Sequence, residues 1–231
     1  MAELLITCEH ASHTLPGDLD LGLSEAVMLS HVSRDQGAGD IARCLAERSG
    51  APLHVGVHSR LWVDLNRRES NPDVIVEQTY GIAVPGNVGL SAEARADRLE
   101  RFHRPYREAA RADATRMATR GLCLHLSIHS FDPALDPPNR DFDVGVLFDP
   151  ERSPERQIAP HIADGLEREG WRTRLNEPYL GTPEGLTSWL RGQLPSESYV
   201  GLEVECSYAW SGDPPHTHRF VAALLGVINS W

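Results

Sequence analysis

The sequence contains no lysine: all 22 basic residues among its 231 are arginine. That excludes Schiff-base catalysis and a Walker-type phosphate loop, both of which need a lysine amine. There is no GxSxG nucleophile elbow. There is no CxxC pair either. Cys8, Cys44, Cys123 and Cys206 stand far apart beside apolar stretches, the pattern of buried free thiols and not of a thiolate zinc site. No apolar run approaches the roughly 20 residues of a membrane span. The amino terminus enters a strand-like LLITC with no basic region or cleavage site, so a cytoplasmic protein without membrane contact is expected. A net charge of −11 argues against non-specific nucleic-acid binding.

What is present is enough for a full core, with 41 % hydrophobic residues. Alternating apolar positions predict strands over residues 4–8, 53–57, 122–128, 143–148, 171–175 (an edge) and 199–206. Helical spacing and capping signals predict helices from Ser24 to Leu29, from Ser33–Gly37 to Gly50, over 91–121 with a break near Pro105, from Ser153 to Gly170, from Thr182 to about Leu190, and over 217–228. Residues 71–86 read as a long irregular connection and a lid candidate, and the Pro-rich stretch 132–140 as a loop. Strands alternate with helices throughout, with no repeat and no linker. One three-layer α/β/α domain over residues 1–231 is expected, with a mixed, mostly parallel central sheet.

Chemistry-bearing residues gather at strand ends. In LHLSIHSFD, Leu124, Leu126 and Ile128 alternate with His125 and Ser127, and the strand is expected to stop at His129–Ser130. His10 likewise follows the first strand. Open α/β sheets place their sites at the carboxyl ends of strands. Two imidazoles and one carboxylate form a catalytic zinc set with a fourth position left open. The carboxylate is Asp35, which could equally be an ordinary helix N-cap, or Glu9; His13 is the weaker neighbour. In RLWVDLNR, a regular strand would turn Arg60, Trp62, Asp64 and Asn66 to one side. An arginine fork beside an asparagine amide suits a carboxylate pocket, unless the arginines are solvated partners of Asp64 or Glu69. In GLEVEC, Glu203 and Glu205 share one strand face, either as a general base in the site or as a solvated acidic edge.

Taken together, CEHAS with its following Pro, RDQGAGDIA, RLWVDLNR, FHRPYR, LSIHSF and LEVE resemble the N-formylglutamate amidohydrolase family, in the family's order from residue 5 to about 210. The resemblance implies a zinc-exopeptidase (phosphorylase/hydrolase)-like fold, similar to zinc carboxypeptidases and aspartoacylase. It implies one zinc ion held by His10, Asp35 and His129. In the related peptidases the acidic ligand follows the first histidine by three residues; here that position is His13, and Asp35 is favoured over Glu9. Asn66 and Arg67 are similar to the aspartoacylase pair that holds the substrate carboxylate. Arg60 falls where those enzymes polarise the scissile carbonyl, and Glu203 aligns with the late acidic residue as general base. His103 matches a family segment without an assigned role beyond helix packing. The implied reaction takes a small anionic N-acyl amino acid, N-formyl-L-glutamate, plus water to formate and L-glutamate. Two rivals are an amidase or peptidase of the same mechanism acting on another N-acyl amino acid or a small peptide, and a non-catalytic carboxylate-binding protein on this fold.

Overall fold

Strand β1 (Glu3–Cys8) starts a six-stranded sheet whose order is β2 (Leu53–Val55), β1, β5 (Cys123–Phe131), β8 (Tyr199–Ser207), β6 (Val144–Leu147) and β7 (Thr173–Leu175). A separate hairpin pairs β3 (Gln78–Thr79) with β4 (Ile82–Ala83). The first four strands of the sheet are parallel; β6 runs antiparallel to β8, and β7 parallel to β6. The computed structural model describes residues 2–135 and 140–231. The predicted loop over 132–140 is therefore described only at its ends, residues 136–139 lying outside the described residues.

Side-chain alternation sorts the sheet into two faces. Leu124, Leu126 and Ile128 of β5 join Val200, Leu202 and Val204 of β8 in the main core. That face is covered by α2 (Ala38–Ser49), α5 (Ser153–Arg168) and α8 (Pro214–Asn229), through residues such as Ile41, Ile162 and Phe220. The other face carries Leu5, Cys123 and Tyr199, packed on α4 (Arg104–Ala118) and α6 (Leu186–Arg191). Helices on both faces make the fold the three-layer α/β/α arrangement with a mixed, mostly parallel sheet. On this second face, toward the carboxyl ends of β5 and β8, the alternating positions turn polar: Ser127, His129, Glu203 and Glu205. Short helices α1 (Glu25–Met28), capped by Ser24, and α7 (Tyr208–Ser211) complete the connections.

Several local readings change. Residues 60–67 are a chain of turns, not a strand. Ser59 Oγ accepts from Leu61 N and Asp64 Oδ1 from Asn66 N, so side chains satisfy the backbone locally. Leu61, Trp62 and Val63 are then buried in succession in a second core with Val74, Ile75, Val84 and Leu99. The same core anchors the 71–86 segment, which is packed cover carrying two 3-10 turns and the β3–β4 hairpin. Helix α2 begins at Ala38, with Gly37 at φ 75° as its N-cap, so Asp35 is no cap but part of the loop before it. A Cβ on Gly37 would stand 2.0 Å from Ser211 O. The break near Pro105 is a widened π turn, Leu99–His103, between α3 (Ala92–Arg98) and α4. Pro105 offers no N–H and its ring would meet the carbonyl four residues back. The predicted residues 56 and 57 fall outside β2, whose last register partner, opposite Val55, is Cys8 at the end of β1. All four cysteines are free and buried.

His125 is fully buried in β5, its Nε2 2.9 Å from Thr7 Oγ1 and its Nδ1 2.7 Å from Tyr199 Oη. Burial lowers its pKa to about 4. The unfolded chain takes up this proton near pH 6.5, so the stability held by the neutral ring is complete above that pH and is lost as pH falls toward 4. Between pH 7.5 and 5 this one group should cost about 2 kcal/mol. Urea unfolding of the parent and His125→Gln at both pH values checks it: the parent should lose about that much more than the variant. Equal losses would mean the ring is not held neutral.

Candidate metal centre

The carboxyl ends of β1, β5 and β8 open on a cavity of ≈ 400 Å³. His10 lies two residues past the end of β1, while His129 is still inside β5. The loop before α2 reaches over β1, and Asp35 N donates to His10 O at 2.9 Å. This brings the Asp35 carboxylate between the two rings. Its Oδ2 is 2.8 Å from His129 Nδ1 and 3.5 Å from His10 Nδ1. The ring centroids are 5.2 Å apart. One ligand atom from each of the three residues lies within 4.8 Å of the others, and all three residues are buried.

The far nitrogens are each anchored on another carboxylate. His10 Nε2 donates to Asp64 Oδ1 at 2.7 Å, and His129 Nε2 lies 3.1 Å from Glu9 Oε2. Glu9 is fixed in turn, accepting from Ser127 Oγ at 2.6 Å and from Tyr106 Oη at 3.0 Å. Metal-binding histidines are oriented in this way, the outer nitrogen held and the inner one left for the ion. The buried His10 Nδ1 has no hydrogen-bond partner. A buried nitrogen without a partner beside a carboxylate and a second imidazole fits a metal ion, and an N, N, O donor set suits zinc. The charges within the cluster offset one another. Burial opposes charge on every member, yet the two imidazoles hold the Asp35 carboxyl below its ordinary range, and Asp35 and Glu9 raise His129.

The other predicted residues divide. Arg60, Asn66 and Arg67 all line the cavity, brought there by the turns of 60–67, whereas Trp62 turns into the core. Arg60 bonds Asp64 Oδ2 at 3.0 Å and stands 3.6 Å from Asp35 Oδ1. Asn66 Oδ1 accepts from Leu186 N at the start of α6, at 2.7 Å. Arg68 does not line the cavity but pairs at 2.6 Å with Glu184, which does. Glu9 faces the outer side of His129, and His13 is not among the residues lining the cavity. Glu203 and Glu205 both line it. Thr187 Oγ1 donates to Glu203 Oε1 at 2.6 Å and leaves this carboxylate partly accessible. Glu205 is buried, its Oε2 has no partner, and burial with the nearby Asp35 and Glu203 charges pushes its pKa up to about 8.

Several contributors escaped the sequence reading. Asp64 had been weighed only as an arginine partner, because a strand pattern disguised its turn. Tyr106, Ser127 and Thr187 act over long sequence separations that no local pattern signals. His103 gains a place: its Nε2 donates to Arg67 O at 2.8 Å, and Arg107 donates to the carbonyls of Leu65, Asn66 and Arg67. The FHRPYR segment thus clamps the turn that carries Asn66 and Arg67.

Among the described residues, no helix is long and apolar enough to cross a membrane. No curated protein matches the chain by sequence. Its structure is similar to that of gene product Atu2144 from Agrobacterium tumefaciens, with 26 % identity, a TM-score of 0.85, and coverage of 99 % of this chain and 91 % of that one. It is also similar to the fold of the N-formylglutamate amidohydrolase from Ralstonia eutropha JMP134, at 16 % identity and a TM-score of 0.75, covering 99 % of this chain and 93 % of that one. The family model for N-formylglutamate amidohydrolase matches residues 2–208. With that match over most of its length, the chain belongs to the N-formylglutamate amidohydrolase family, hydrolases acting on an amide bond.

Proposed function

We propose that this chain is a zinc-dependent amidohydrolase of a small N-acyl amino acid, with one zinc ion held by His10, Asp35 and His129. The family's reaction, N-formyl-L-glutamate plus water to formate and L-glutamate, is the proposed chemistry. The observation that carries the reading is the Asp35 carboxylate set between two inward Nδ1 atoms whose outer nitrogens rest on Asp64 and Glu9. When bound there, zinc supplies Lewis acidity toward the amide carbonyl and lowers the pKa of water.

The chain's own residues divide the remaining work. Glu203 lines the cavity with one oxygen held by Thr187. It takes the proton from the attacking water and delivers it to the leaving nitrogen, as amide cleavage requires. Arg60 donates toward the carbonyl oxygen as negative charge develops. Asn66 and Arg67 hold the substrate's α-carboxylate, on a turn made rigid by His103 and Arg107. A second reading keeps the mechanism but changes the amino acid. Its one support is that both arginines of the cavity already lie beside a carboxylate, Arg60 at 3.0 Å and Arg67 at 3.5 Å from Asp64, with no further arginine among the described residues lining the cavity for a second substrate carboxylate.

Three variants test these roles. Glu203→Gln should keep zinc yet lose at least about 100-fold in turnover; unchanged turnover removes Glu203 as the base. Arg67→Ala should raise KM with little change in kcat, since its grip is equal in ground and transition states. If neither constant moves, Arg67 is not the clamp. Glu9→Gln should weaken zinc binding by about 10–100-fold, read by competition with a chromophoric chelator. An unchanged affinity would show that His129 needs no carboxylate behind it.

A further inference from the structure

The formyl amide and the α-carboxylate of N-formyl-L-glutamate have partners in the proposed site, the first at the His10–Asp35–His129 set with Arg60, the second at Asn66–Arg67. The side-chain carboxylate has none, and no third arginine lines the cavity among the described residues. The other side-chain donors of the lining are His31, Ser130 and three tyrosines, Tyr80, Tyr179 and Tyr208. Most of these are engaged. Ser130 Oγ donates to Gln36 O at 2.8 Å and Tyr208 Oη to Arg34 O at 3.4 Å, while Tyr179 Oη accepts from Arg140 at 3.1 Å. His31 Nδ1 faces Asp132 Oδ2 at 3.8 Å. Among the described residues, no hydrogen bond engages the Tyr80 hydroxyl.

Tyr80 sits at the tip of the β3–β4 hairpin in a backbone conformation that is unfavourable for it. Gln78 pairs with Ala83 and Thr79 with Ile82, so Tyr80 and Gly81 form the two-residue loop, at φ 48° and 75°. A loop with positive φ at both positions favours Asn-Gly, and a tyrosine there carries the steric penalty of the left-handed region. Packing does little to offset that penalty, because Tyr80 is 62 % exposed. Its ring meets His31 edge-on, with 5.2 Å between centroids. The base of the hairpin is firm: Val84 N donates to Glu77 O at 2.8 Å, and Val74, Ile75 and Val84 are buried in the second core. The phenol is close enough to act on the charge of Arg60 and of Tyr179, which sets it over the cavity. A strained turn on a rigid support thus holds a hydroxyl at the cavity mouth, the setting in which local strain marks a functional position.

We infer that Tyr80 is a specificity-determining residue whose phenol O–H donates a hydrogen bond to the side-chain carboxylate of the N-formyl acidic amino acid. This rests on the amidohydrolase reading of the site and deepens it. As a neutral donor, the phenol is not drawn into the ion pairs that occupy Arg60 and Arg67, and it stays available to the substrate. The α-carboxylate remains at Asn66–Arg67 and the formyl amide at the His10–Asp35–His129 set.

The test compares zinc-loaded parent, Tyr80→Phe and Tyr80→Asn on two substrates: N-formyl-L-glutamate, and N-formyl-L-norvaline, which keeps the chain length but lacks the carboxylate. Calorimetric binding of L-glutamate and L-norvaline is measured alongside. The parent should favour the glutamate derivative in kcat/KM. That preference should fall by about 10-fold in both variants, mainly through KM, the worth of a hydrogen bond to a charged group. Taking a ratio cancels any effect of the substitution on zinc itself. Tyr80→Asn should also melt about 2–4 °C above the parent, because the turn loses its strain. A tyrosine with a merely structural role would not yield a more stable protein with poorer discrimination. A parent without the preference, a preference unchanged in Tyr80→Phe, or a Tyr80→Asn protein no more stable than the parent overturns the inference and leaves the hydrolase reading standing. If the parent cleaves neither derivative, the hydrolase reading fails and calorimetry decides the subsite. L-glutamate binding weakened about 10-fold in Tyr80→Phe then supports it, and binding that is absent or indifferent to the substitution overturns it.

Discussion

The structure turns on one carboxylate held between two imidazoles. Asp35 Oδ2 faces both inner nitrogens, and each ring is braced from behind by another acid. Buried charges survive only when paired or bound to metal. Each member of the cluster therefore constrains the next: Tyr106 and Ser127 hold Glu9, Glu9 holds His129, and His129 meets Asp35. On the other side Arg60 and Arg67 flank Asp64, which holds His10. The polar groups come from the loop after β1, from β5, from α4, from the loop before α2 and from the turns of 60–67, so the cluster ties five separate segments to one point.

The fold makes this affordable by keeping its faces separate. The main core under α2, α5 and α8 is a continuous apolar cluster, and the opposite sheet face packs apolar residues near Leu5, Cys123 and Tyr199. Toward the carboxyl ends of β5 and β8 it becomes the floor of the cavity. A second core, built on Leu61, Trp62, Val74 and Leu99, supports the turns that form one wall. Arg98, stacked 3.6 Å from the centre of the Trp62 ring and bonded to Asn87, ties the helical layer to that wall. A polar site thus sits on rigid strands and faces a buttressed loop layer, the arrangement that precise positioning of catalytic groups requires.

Much of this was legible in the sequence, for physical reasons that can be traced. The alternation in LHLSIHSF fixed both the strand and the face on which His129 stands. The strand end in LLITCEH placed His10 beside it, and the missing lysines and CxxC pairs narrowed the chemistry to imidazole and carboxylate. Three features were hidden. Residues 60–67 imitate a strand because their apolar positions alternate, while Ser59 and Asp64 satisfy the backbone as turns. Asp35 looked equally like a helix cap because the true cap, Gly37, adopts a left-handed conformation that no side-chain signal announces. Asp64 and Tyr106 enter the site through partners far away in the chain, His10 lying 54 residues from Asp64 and Glu9 lying 97 from Tyr106. Glu203 and Glu205 looked alike as neighbours on one face, and only the packing separates a hydroxyl-held, accessible carboxylate from a buried, unpaired one.

The most direct measurement is a calorimetric zinc titration of chelator-stripped protein beside its His129→Ala and Asp35→Asn variants. The account predicts a single tight site in the parent, with one zinc per chain, weakened by at least about 100-fold in both variants while their circular dichroism stays that of the parent. The absence of a tight site in the parent, or an affinity indifferent to both substitutions, would contradict it.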